Sequence, residues 1–118
     1  MNQKLFDSEI KVMELIWGNE PVSAKELSII ASERIGWNKN TTYTVIKKLE
    51  VKGYIRRSDP GFICTSLISK GDVCKAETQD LIDKLFDGSK KLFLSALLDD
   101  EKLSKKDIDE LRKLIEKR

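Results

Sequence analysis

The segment Trp37-Asn38-Lys39-Asn40-Thr41-Thr42-Tyr43-Thr44-Val45-Ile46-Lys47-Lys48-Leu49-Glu50-Val51-Lys52-Gly53 decides how this chain folds. Asn38 is a good cap for the free amides that follow it, and Gly53 suits the left-handed stop beyond a helix C-terminus. A helix is therefore predicted over residues 39 to about 51. At 100° per residue, Thr42, Val45, Ile46 and Leu49 share one face, a core stripe. The opposite face holds Asn40, Thr44, Lys47 and Val51, flanked by Tyr43 and Lys48. That face is polar, aromatic and basic, with no carboxylate at its centre.

Working outward towards the C-terminus, residues 54–57 and 62–65 are short β-prone runs around Ser58-Asp59-Pro60-Gly61. Asp-Pro-Gly is strong turn chemistry, so the two runs form a hairpin. Towards the N-terminus, Ser23 and Glu26 are spaced as a capping box. A helix with Ala24, Leu27, Ile30 and Ala31 as its stripe follows, to about Arg34. It closes near Gly36. Pro21-Val22-Ser23 is a short extended connector. The first helix starts at Asp7, taken as its cap, carries Ile10, Met13, Ile16 and Trp17, and ends at Gly18-Asn19.

Helix, extended piece, helix, helix and two-stranded hairpin is the order of a winged helix. Helices two and three then make a helix-turn-helix, with the third lying in the major groove and the hairpin as the wing. The chemistry of each outward residue follows. Asn40 suits bidentate pairing with adenine, the Thr44 methyl suits thymine, and Lys47 or Lys48 reaches guanine or phosphate. Thr41, near the helix start, is placed for a phosphate. Tyr43 packs on sugar or a thymine methyl, or is partly buried against the wing. Arg56 and Arg57 alternate along a wing strand, so one of the two faces DNA. Trp37 plugs the core before the third helix.

The composition narrows the function. The 118 residues include 22 Lys+Arg, 20 Asp+Glu and no histidine. That excludes Ser-His-Asp and Cys-His chemistry and His-ligated zinc. No nucleophile–base pair, metal-ligand spacing or glycine-rich phosphate loop is present, so neither enzyme nor cofactor is expected. Cys64 and Cys74, separated by nine residues, read as two reduced thiols. There is no apolar signal region near the N-terminus, and no run approaches the roughly 20 apolar residues of a membrane span. A cytoplasmic chain without membrane insertion is expected.

The net charge of +2 is an average. Residues 37–58 hold Lys39, Lys47, Lys48, Lys52, Arg56 and Arg57 against Glu50 alone, a local +5. Such a stripe is what phosphate neutralisation needs. Residues 70–118 carry 12 basic and 12 acidic side chains and are neutral.

In that half, Ser69 caps a fourth helix with Val73, Ala76, Ile82, Leu85 and Phe86, broken at Gly88. A fifth runs from Ser89 to about Leu98. After Asp99-Asp100-Glu101, Ser104 opens a sixth with Asp107 completing its cap, and Ile108, Leu111, Leu114 and Ile115 form its stripe. Three short helices with narrow stripes rarely make a stable core alone. They are expected to pair with a second copy through Ile82, Leu85, Phe86, Leu92, Phe93, Leu97, Ile108, Leu111 and Ile115. A two-fold dimer sets two recognition helices roughly 34–36 Å apart, one turn of DNA. The expected fold is thus mainly α with a small β-hairpin: a winged helix-turn-helix over residues 1–69 and a helical dimerisation domain over residues 70–118. Two other functions fit the same architecture: a ligand-responsive winged-helix regulator, and a winged helix used for protein–protein contact.

The chain resembles the penicillinase-repressor family, which includes the methicillin-resistance repressors. The resemblance rests on Ser8-Glu9-Ile10-Lys11-Val12-Met13-Glu14-Leu15-Ile16-Trp17, on residues 37–49, on Lys52-Gly53-Tyr54, and on Leu103-Ser104-Lys105-Lys106-Asp107-Ile108-Asp109-Glu110-Leu111. It implies a homodimeric repressor of β-lactam resistance genes that occupies a palindromic operator. It also implies a membrane sensor protease as partner, with repression relieved by a cut in the C-terminal domain. The family's cleaved Asn-Phe bond aligns near Ser95-Ala96. Asn40 stands where the family often has lysine, and Tyr43 where arginine is common. Copper-sensing relatives carry C-terminal Cys-x-Cys pairs, and this chain has no cysteine after Cys74.

Overall fold

The computed structural model describes residues 4–99 and 102–117. Asp100 and Glu101 of the predicted acidic run lie outside them. The elements are α1 (Asp7–Asn19), β1 (Val22–Ser23), α2 (Ala24–Arg34), α3 (Lys39–Lys52), β2 (Ile55–Ser58), β3 (Ile63–Ser66), α4 (Lys70–Leu85), α5 (Lys90–Leu98) and α6 (Lys105–Glu116). The chain divides into two compact units between Cys74 and Lys75, inside α4.

In the N-terminal unit, α1, α2 and α3 enclose a core of Val12, Met13, Ile16, Leu27, Ile46, Leu49 and Ile55, closed by Cys64 of β3. Val73, in the first turns of α4, belongs to the same core. The indole of Trp17 donates to the Ile68 carbonyl at 3.0 Å, tying the α4 lead-in to α1. Trp37 packs half-buried against the core, as its place before the third helix predicts.

Three local expectations need correction. Asp7 does not cap α1: Phe6 holds the extended cap position and Asp7 is the first helical residue. The reason is Glu9, which reaches back from inside the helix to accept the Phe6 amide at 2.8 Å. Asp7 then sits in the first turn, where the helix dipole favours an acid. Second, Val22-Ser23 is not merely a connector. It pairs antiparallel with β3, Val22 opposite Cys64 and Ser23 opposite Ile63, making a three-stranded sheet of order β1-β3-β2. The Glu20 carboxylate secures this edge by accepting the Ser66 amide at 2.8 Å and the Ser66 hydroxyl. Third, both wing strands start one residue later than predicted. The Tyr54 amide is taken by the Leu49 carbonyl at 3.0 Å to finish α3, with Gly53 left-handed at φ 83.

In the C-terminal unit, α4 ends where Gly88, at φ 78, donates to the Ile82 carbonyl at 3.1 Å. Ser89 caps α5 by accepting the Leu92 amide. Ser104 and Asp107 cap α6 reciprocally. Phe86 and Phe93 meet edge to face with ring centres 5.6 Å apart.

Candidate nucleic-acid interface

Everything in the site hangs on α3. Its 14 residues span about 21 Å. Asn38 Oδ1 accepts the Thr41 amide at 2.8 Å, so the cap predicted from the residue type is made. Thr42, Val45, Ile46 and Leu49 are all buried. The one polar group among them is satisfied, because the Thr42 hydroxyl donates to the Asn38 carbonyl.

Asn40, Thr41, Thr44, Lys47 and Lys48 all lie exposed on the other side. The Thr44 hydroxyl donates to the Asn40 carbonyl at 2.8 Å, so its proton is occupied and its methyl remains to make contacts. The Thr41 amide is occupied by Asn38, which leaves that residue's hydroxyl as its free donor. Lys47 and Lys48 form no ion pair among the described residues. Val51 continues the face and is 86% exposed.

Lys52 leaves the basic stripe. Its ammonium lies 2.7 Å from Glu9 Oε1, donates to the Lys4 carbonyl at 3.0 Å, and sits 4.5 Å from the Phe6 ring centre. Glu9 is itself buried. The sequence does carry a signal for this. Glu9 falls on the helical face of Val12, Met13 and Ile16, where a carboxylate has to find a partner.

The two wing arginines differ. Arg57 Nε is 3.2 Å from Asp59 Oδ1, and its guanidinium lies 3.8 Å from the Phe62 ring centre. Arg56 is exposed and has no ion pair among the described residues. Phe62 also meets Tyr43 edge to face at 6.1 Å. Tyr43 is half-buried, so packing against the wing and an outward edge coexist. Phe62 carries no mark in the sequence beyond a β-prone run, because its partners come from other elements.

The remaining predicted residues lie in the C-terminal unit. Leu85, Leu92, Leu97 and Ile115 are exposed, while Phe86, Phe93, Ile108 and Leu111 are half-buried. Ile82 departs from the expectation: it is only 4% exposed in a single chain and offers little surface to a partner. Ser95 and Ala96 are both exposed, within α5. Among the described residues no group of three His, Cys, Asp or Glu could hold a metal ion. No described helix is long and apolar enough to cross a membrane.

Residues 5–117 match the penicillinase repressor family. The chain belongs to that family. Penicillinase repressors are regulators of transcription, not enzymes, and this chain is one of them. It is 24% identical to the penicillinase repressor of Bacillus licheniformis, over 96% of this chain and 90% of that one. It is 27% identical to the methicillin resistance regulatory protein MecI of Mammaliicoccus sciuri, over the whole of both chains. The solution structure of the DNA binding domain of the repressor BlaI matches with a TM-score of 0.55 and 26% identity, covering 61% of this chain and 93% of that one. The Bacillus licheniformis BlaI monomer, solved with the blaP half-operator, matches with a TM-score of 0.54 and 26% identity, over 61% and 90%. The winged-helix fold is thereby shown.

Proposed function

We propose that this penicillinase repressor controls β-lactam resistance genes by occupying a palindromic operator as a two-fold dimer. The observation that carries the reading is the outward face of α3. Asn40, Thr41, Thr44, Lys47 and Lys48 are exposed together on a helix whose other side is buried. The half-operator complex of a relative supports the same use of this unit. Asn40 and Thr44 read base edges, Thr41 and Lys48 hold phosphate, and Lys47 takes guanine or phosphate. Arg56 reaches the flanking backbone, because Arg57 is already held by Asp59 and Phe62. The exposed Leu85, Leu92, Leu97 and Ile115, with Phe86, Phe93, Ile108 and Leu111 beside them, cover one another in the dimer. The repressor works in the cytoplasm. Relief comes from proteolysis near the exposed Ser95-Ala96 by a membrane sensor protease, or from the binding of a signalling partner.

A binding titration across salt tests the DNA reading. The logarithm of affinity should fall with that of salt concentration at a slope near −0.9 per phosphate contacted. Lys47→Glu with Lys48→Glu should weaken binding by about 100-fold or more. Unchanged affinity in that variant would move the third-helix face to protein–protein contact.

A further inference from the structure

We propose that Phe62 is a specificity-positioning residue: its ring sets the orientation of Tyr43 on the recognition helix, so the wing selects a base pair that it does not touch. This rests on the DNA-binding reading above.

A ladder of side chains runs from the recognition helix to the wing tip. The Lys39 ammonium lies 5.7 Å from the Tyr43 ring centre. Tyr43 meets Phe62 at 6.1 Å with ring planes 84° apart. The Arg57 guanidinium covers Phe62 at 3.8 Å, and Asp59 holds Arg57 at 3.2 Å. Edge-to-face and cation–ring contacts prefer defined geometries, so each rung restricts the next.

Phe62 is fixed by more than its ring. Its φ is 50, in the left-handed region where a bulky L residue is uncommon. Its amide donates to Asp59 Oδ1 at 3.3 Å, and its carbonyl accepts the Ala24 amide at 2.9 Å, the first of α2. The backbone is thus pinned at the wing turn and at the start of the helix-turn-helix. Strain of this kind persists where the surroundings over-determine it, and it concentrates at working positions. Tyr43 is the side chain placed to benefit. It flanks Asn40 and Thr44 on the outward face, half-buried where it packs on the core and meets the Phe62 ring. Without the ring of Phe62, Tyr43 regains rotamers and reads its base pair less selectively. A residue that merely filled space would affect every sequence alike.

The full-length protein is used to select bound duplexes from a random pool. Competition titrations then compare the selected duplex with single-base-pair substitutions. Phe62→Leu should lower discrimination at one base-pair position by about fivefold or more, leaving the other positions and the salt slope as they were. Phe62→Tyr should restore it. In a Tyr43→Ala background, Phe62→Leu should have no further effect at that position. If Phe62→Leu fails to fold by circular dichroism, Phe62→Gly replaces it with the same readings, because glycine adopts this φ freely. Unchanged preference at every position, or a uniform loss of affinity, overturns the assignment to Phe62. An unaltered protein that selects no sequence at all overturns the DNA-binding reading and this inference with it.

Discussion

Lys52 and Lys47 sit five residues apart on one helix and do opposite work. Lys47 is exposed, and the work proposed for it is to meet DNA. Lys52 neutralises Glu9, whose carboxylate is 1% exposed and whose Oε2 has no hydrogen-bond partner. Removing one member of a buried pair leaves the other charged and desolvated. Lys52→Met should therefore lower the unfolding free energy by about 3 kcal/mol, read by urea denaturation. Lys47→Met should change stability by less than about 0.5 kcal/mol while weakening DNA binding. Equal stabilities for the two variants would contradict this division. Cys64 gives a pH dependence with a definite sign. Burial, and then the nearby Glu50 charge, push its thiol from 9.0 up to about 11, against an opposing pull from Arg57. An unfolded thiol ionises from pH 9, whereas the folded one keeps its proton to about 11. The stability this confers is present below pH 9 and is lost as pH rises through that window, about 2–3 kcal/mol in all. Cys64→Ala should flatten the alkaline decline of the melting temperature. The exposed Cys74 should react with a thiol reagent at neutral pH, and Cys64 should not.

Elements that announce their own ends were legible in the sequence. α2, α3 and α6 each open on a side chain that caps within three residues: Ser23 for Glu26, Asn38 for Thr41, Ser104 for Asp107. Their apolar stripes lie three and four residues apart, within reach of a local reading. The outward face of α3 followed automatically from its inward one. The start of α1 was not legible, because Phe6 has no capping atom and Glu9 acts from inside the helix. β1 was not legible as a strand either. Two residues show no alternation, and their partners Cys64 and Ile63 lie some 40 positions away. Asn38 permits a prediction on a single element. Asn38→Ala should cost about 1 kcal/mol and speed hydrogen exchange at the Thr41 amide, which loses its acceptor. Unaltered exchange there would mean that the cap contributes nothing to the recognition helix.

At the scale of the molecule, the division at Cys74–Lys75 decides where the chain can be cut. A fragment ending at residue 71 discards Val73 from the core of the N-terminal unit. A fragment of residues 1–78 keeps it. That fragment should melt cooperatively, remain monomeric in sedimentation, and bind the palindrome at least about 100-fold more weakly than the full chain. The loss reflects two half-sites that no longer act as one ligand. If the fragment dimerised as the full chain does, the interface would belong to the N-terminal unit instead. The DNA binding domain of the relative BlaI has been solved in solution by itself, and it matches 61% of this chain.

Helix spacing, the caps of α2, α3 and α6, the turn at Asp59-Pro60-Gly61 and the basic face of α3 were readable from the residues in order. Each depends on neighbours within one or two turns of chain. The inward commitment of Lys52, the third strand and the contact of Phe62 with Tyr43 were settled only by the folded molecule. Lys52 meets Glu9 across 43 positions, and Phe62 meets α3 and the start of α2 from the far side of the wing. A charge or a ring has the same composition wherever it lies. What surrounds it, and so whether it binds DNA or holds the protein together, is fixed by long-range packing.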